Sequence, residues 1–207
     1  LLLTACSGYR FSQQDNPLAQ YGIQSLSVPM FYNYSNLPEV QAEFTRETYR
    51  LLTGFSRLKL INGYKSHADA VMIGIVKSPE KMAETIKPSN LRVAQETAQT
   101  SLGGTRRKFY IPGTSDVQLY LHMIVIKKPT EDELTLLKSG FGDQLKSSSK
   151  IVFNEVIPLR IQYTREVMDG AGTQVIATQN QGVQRKIVKS LAEQAANSVR
   201  DIILYAF

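Results

Sequence analysis

The stretch that most restricts the fold is AVMIGIV, residues 70–76. Seven apolar or small residues in a row leave no polar side for water. A run of strand length with that pattern belongs in the middle of a sheet. It is far short of the roughly 20 apolar residues of a membrane span, and so is MIVIKK from Met123.

Further strands follow from alternation. In IQSLSVPMF (23–31), Leu26, Val28 and Met30 share a face. Pro29 has no N–H, so it puts this strand at an edge or ends its pairing. Leu58 and Leu60 alternate with Arg57 and Lys59, and Asn62-Gly63 then marks a tight turn. VQLYLHMIVIKK sets Val117, Leu119, Leu121, Met123 and Val125 on one face. Ile151 to Met168 reads as a long strand bulged near Pro158, with Leu159, Ile161 and Tyr163 alternating against polar residues. DGAG at 169–172 is a turn, and Thr173 to Thr178 is one more short strand.

Two segments have helical spacing. Val40, Phe44, Leu51, Leu52 and Phe55 follow start signals in Asn36, Pro38 and Glu39, with Asn36 as the N-cap and a stop near Gly54. Val183, Ile187, Leu191, Ala195, Val199, Ile202 and Ala206 line a second, longer helix with Arg185, Lys186, Lys189 and Arg200 outside. Each helix has one apolar stripe to bury. The expected fold is a two-layer α+β sandwich, with two helices on one face of a mixed or antiparallel sheet of about four or five strands.

The chain has one cysteine, Cys6. A single thiol makes no intramolecular disulfide. LLLTA ahead of it reads as the last part of a bacterial signal sequence, and Leu3, Thr4 and Ala5 before the cysteine match a lipobox. The Cys6 thiol would take a diacylglyceryl group and its amino group a further chain. Each buried methylene adds about 0.8 kcal/mol of membrane affinity. Ser7, in place of Asp, resembles an outer-membrane sorting signal. The expected division is 1–5 as signal remnant, 6–22 as lipidated segment and 23–207 as a single α+β domain. Within that domain, extended loops are expected near 77–116, where a long hairpin is the alternative, and near 129–150.

The net charge of +6 suits an anionic partner: nucleic acid, anionic lipid or a phosphorylated glycan. Solubility alone explains it as readily. A lipidated, secreted protein would rarely meet nucleic acid, which sets that partner aside. His67-Ala-Asp69 resembles a metal-ligand pair, but two histidines and no second cysteine make a zinc site improbable. His122 is expected on the polar side of its strand. No nucleophile elbow or phosphate-binding loop occurs. The expectation is a non-enzyme with no cofactor beyond the lipid on Cys6.

Taken in order, Gly8-Tyr9 after the lipobox, VPMFYNYS, EFTRETYRLL and ADAVMIGIV resemble the LptE family of lipopolysaccharide-assembly lipoproteins. Val28, Pro29, Phe31 and Asn33 match the family's strand-to-helix motif, and Ala68, Asp69, Ala70 and Gly74 match its next strand. The resemblance implies a plug inside an LptD-type β-barrel at the periplasmic face of the outer membrane, assisting barrel assembly and lipopolysaccharide insertion. Arg106, Arg107 and Lys108, followed by Phe109 and Tyr110, form the densest basic cluster. With Lys127 and Lys128 they are the candidate contacts for lipid phosphates. Another envelope lipoprotein, of a secretion pore or a transporter, is the alternative. A periplasmic hydrolase is a third reading.

Overall fold

The computed structural model describes residues 14–65, 67–81, 84–93, 110–138, 148–164 and 173–205. Cys6, the Arg106-Arg107-Lys108 cluster and the 169–172 turn lie outside them. The chain runs β1 (Gln14–Asp15), a 3-10 helix (Pro17–Tyr21), β2 (Ser25–Val28), β3 (Tyr32–Tyr34) and α1 (Val40–Leu52). It continues with β4 (Phe55–Ser56), β5 (Lys59–Asn62), β6 (Ala70–Lys77), β7 (Ile86–Val93) and β8 (Tyr110–Lys127). It closes with α2 (Glu131–Lys138), β9 (Ile151–Thr164) and α3 (Thr173–Tyr205).

β1 and β4 form a small parallel pair, and seven strands make the main mixed sheet. β2 lies between β5 and β6, parallel to both, and β3 continues along β6 beyond it. β6 and β7 run along one side of β8, antiparallel to it, and β9 pairs along the other side. Because β2–β3 and β6–β7 follow one another along a row, the seven strands occupy five rows. The fold is α+β with helices packed on a sheet, as expected.

AVMIGIV holds the inner row, and every residue of it is buried. Strand periodicity sorts its side chains onto two cores. Ala70, Met72 and Val76 join Val117, Leu119, Leu121, Met123 and Val125 of β8, Leu26 and Val28 of β2, and the helices. Val71, Ile73 and Ile75 join Ile124 and Ile126 on the opposite face. Over the first face α1 packs against α3, with Val40, Phe44 and Leu52 meeting the sheet core beside Leu191, Ala195 and Val199. Leu18, from the 3-10 helix, is buried in that same core.

Several expectations need correction. Residues 129–150 hold a helix, α2, which covers part of the second face with Leu134 (2% exposed) and Leu137 (0% exposed). Within 77–116, residues 86–93 pair with 110–117 as arms of a long hairpin rather than forming an extended loop. Thr173–Thr178 is the first part of α3 and no strand. The irregularity in the β8–β9 ladder falls at Val125/Ile126, while Pro158 pairs in register with Tyr120. Pro158 fits because β9 is paired only to β8 among the described residues, so its missing N–H can point away from the ladder.

Asn62-Gly63 does turn, with Gly63 at φ 76°, yet no hairpin follows, because β5 and β6 both run parallel to β2. The connection crosses β2 at Ser27: Gly63 N donates to Val28 O (3.0 Å), Ser27 Oγ donates to Gly63 O, and Lys65 N donates to Ser27 Oγ (3.1 Å). The N-cap position of α1 belongs to Glu39, at φ 61° and without a side-chain cap bond, while Asn36 N donates to Ser78 Oγ. Met30 parts from Leu26 and Val28 and is 57% exposed, because the strand ends at Val28.

Candidate functional site

The two sequence motifs that resemble the LptE family meet in space. Asp69, before β6, reaches the start of β2. Its Oδ2 accepts from Ser25 Oγ (2.8 Å), Ser25 N (2.8 Å) and Gln24 N (3.1 Å), and Ser25 Oγ accepts in turn from Asp69 N (2.9 Å). The Ser25 hydroxyl, then the Ser25 backbone, hold the Asp69 carboxyl below its ordinary range against partial burial, and the Lys128 charge adds to this. Asp69 is thus a clamp between strands, while His67 is exposed. No group of three metal-ligating side chains occurs among the described residues.

Phe31, past the end of β2, is buried, and its ring occupies the space over Gly74 of β6. Phe31 N donates to Thr45 Oγ1 on α1 (2.9 Å). Asn33 steers the chain toward the helix. Its Oδ1 accepts from Ser35 N (2.9 Å) and Ser35 Oγ (2.7 Å), and its Nδ2 donates to Leu37 O (2.7 Å). A side-chain amide that closes an Asx turn in this way is the physical reason for asparagine at that position.

Lys127 and Lys128 close β8 at the same end of the sheet. Lys127 N donates to Lys150 O (2.9 Å), and Lys128 N donates to Asp69 O (3.1 Å) from a left-handed conformation, φ 39°. Lys127 is half-buried and Lys128 exposed. Nearby Lys150 Nζ bonds both carboxylate oxygens of Glu133, at 2.9 and 3.0 Å. Glu133 also accepts from Thr130 N (2.7 Å), while Thr130 Oγ1 accepts from Glu133 N (3.3 Å). The Thr130 backbone bond, then Lys150, draw the Glu133 carboxyl below its usual range. This reciprocal pair is a capping box, and Thr130-x-x-Glu133 was its visible sequence signal. Sequence reasoning missed it and with it α2. It also missed the neighbourhood of Lys128 and Asp69.

His122 faces the second side of the sheet but is buried, 9% exposed, with Nε2 2.6 Å from Asn154 Oδ1. The ring lies opposite the apolar stripe of β8, as expected, yet it is out of water because the cross-strand amide of Asn154 gives Nε2 a partner. On the helical side a groove of about 550 Å³ opens between the start of α1 and α3, where Glu39 and Glu43 face Gln184 and Arg185. On α1, Glu47 is buried and its carboxyl is lowered chiefly by the Arg50 hydrogen bond (2.7 Å), against burial, with help from Arg46.

No family model and no curated protein matches this sequence. Solved structures similar in outline include a minor lipoprotein from Acinetobacter baumannii, 12% identical over 89% of this chain and 93% of that one, TM-score 0.38. The rare lipoprotein B from Shewanella oneidensis is 15% identical over 88% and 92%, TM-score 0.35. The PelC dodecamer subunit from Paraburkholderia phytofirmans is 10% identical over 83% and 84%, TM-score 0.36. At these values the likeness carries no argument about what this chain does.

Proposed function

We propose that this chain is a lipid-anchored, non-enzymatic subunit of the lipopolysaccharide-assembly machinery. Acyl chains on Cys6 tether it to the periplasmic face of the outer membrane. It fills the lumen of an LptD-type β-barrel, helps that barrel assemble, and assists lipopolysaccharide insertion in the outer leaflet. Its partners are the barrel, lipopolysaccharide and the membrane, with no role for nucleic acid and no cofactor beyond the covalent lipid. Arg106, Arg107, Lys108, Lys127 and Lys128 are the phosphate contacts in this reading.

The observation that supports it is the join between the two motif stretches. The residues that carry the family resemblance are far apart in sequence, yet the ring of Phe31 from the first motif packs over Gly74 of the second. Motifs that form one packed unit are harder to attribute to chance than short matches read separately. An affinity pull-down of the full chain from native outer membranes tests the reading. A large outer-membrane barrel, identified by mass, should be retained, and the N-terminal peptide should carry acyl mass on Cys6. Recovery of a secretion ring or an ABC transporter instead would transfer the chain to a different envelope assembly.

A further inference from the structure

Among the described methionines, Met72 and Met123 are fully buried, whereas Met30 is 57% exposed. Met30 is not surrounded only by water. Thr45 Oγ1 on α1 stands 3.6 Å from Met30 Sδ, in contact with one side of the sulfur. Thr45 is itself held in place: its hydroxyl lies 2.7 Å from Gln41 O as a donor, and its oxygen accepts from Phe31 N at 2.9 Å. The hydroxyl is therefore a fixed post on one side of the sulfur.

A thioether sulfur has two lone pairs, and oxygen added at one or the other gives opposite sulfoxide epimers. We propose that Met30 is a site of selective and reversible oxidation, with one epimer favoured because Thr45 covers one lone pair and water reaches the other. The oxidant class is a peroxide. The free lone pair of Sδ attacks a peroxide oxygen, the S–O bond forms as the O–O bond breaks, and the departing hydroxide takes the remaining proton to leave as water. Sulfur loses two electrons and the peroxide gains them. A thiol-dependent sulfoxide reductase reverses the step, and such enzymes are specific for one epimer each. Since Met30 is already exposed, the added oxygen is hydrated and the core formed by Phe31, Val28 and the sheet stays dry.

The test treats the folded full chain with limiting hydrogen peroxide and maps the peptides by mass. Met30 should oxidise at least about tenfold faster than Met72 and Met123, since susceptibility follows exposure. Treatment of the oxidised protein with each stereospecific reductase should show one epimer in clear excess. Thr45→Ala, which removes the atom beside the sulfur, should bring the ratio to unity, and Thr45→Val, which keeps the bulk there, should preserve the bias. Equal epimers in the unsubstituted chain, or Met72 and Met123 oxidising as fast as Met30, would overturn the proposal even if Thr45→Ala fails to fold.

Discussion

The ring of Phe31 fills the space that a side chain at Gly74 would need: a Cβ there would stand 2.6 Å from Phe31 Cε2. Gly74 is thus fixed by a neighbour, with no demand from its own backbone angles. Gly74→Ala should lower stability by about 1–3 kcal/mol, the usual cost of overpacking. Phe31→Ala should cost about 3–5 kcal/mol. In urea unfolding, the double substitution should cost clearly less than the sum, because the first change removes what the second would strike. Strict additivity would show that the two do not touch.

Asp69→Asn should lose about 1–2 kcal/mol at neutral pH, because charge-assisted bonds to Ser25 and Gln24 weaken. The Asp69 carboxyl is lowered in the folded state. Its contribution is therefore fully present above the unfolded value of about 3.9 and fades as pH falls through the lower folded value. The stability gap between the parent and Asp69→Asn should stay constant above about pH 5 and close in more acid solution. Glu47 and Glu133 are also lowered and steepen the parent's acid limb. A gap that widens on acidification would contradict the clamp.

Helix α2 rests on two leucines and one cap. Leu134→Ala or Leu137→Ala should each cost about 2–4 kcal/mol, and Thr130→Ala about 1 kcal/mol. Hydrogen exchange should show faster amides in α2 and in the second-face residues Ile73 and Ile124 for the leucine variants. Unchanged exchange there would mean that α2 does not cover the sheet.

Lys127 and Lys128 tie the fold through backbone N–H groups. The double substitution Lys127→Ala, Lys128→Ala should leave the urea midpoint nearly unchanged, within about 0.5 kcal/mol. Under the proposed function it should weaken binding to purified lipopolysaccharide. Full binding with an intact fold would remove these lysines from the contact set.

Strong periodicity was legible where each residue faces one environment. The five alternating residues from Val117 to Val125 all lie in the helical-side core, and AVMIGIV holds an inner row. The stripe from Ile187 to Val199 was equally plain. What escaped was marginal in apolar content. Helix α2 has only eight residues, and β7 reads IKPSNLRV, where Pro88 and polar neighbours hide a strand paired to β8. Of the candidate site, Lys127 and Lys128 were visible as charges. Their tie to Asp69 was not, because it is made by backbone atoms that carry no sequence label. Ser25 and Asp69 are 44 residues apart, and no local pattern announces such a partnership.

The placement of β2 has a mechanical consequence. It is the first strand of the main sheet, yet it sits between β5 and β6 with ladders on both sides, and the crossover at Ser27 lies over it. A pull from the N-terminal side first has to free β1 and the buried Leu18; from Ser25 onward it runs along the strand, so it loads both ladders and the Asp69 clamp together in shear. A strand at the rim would peel one bond at a time. This domain is therefore built to bear tension at the end where a tether would attach.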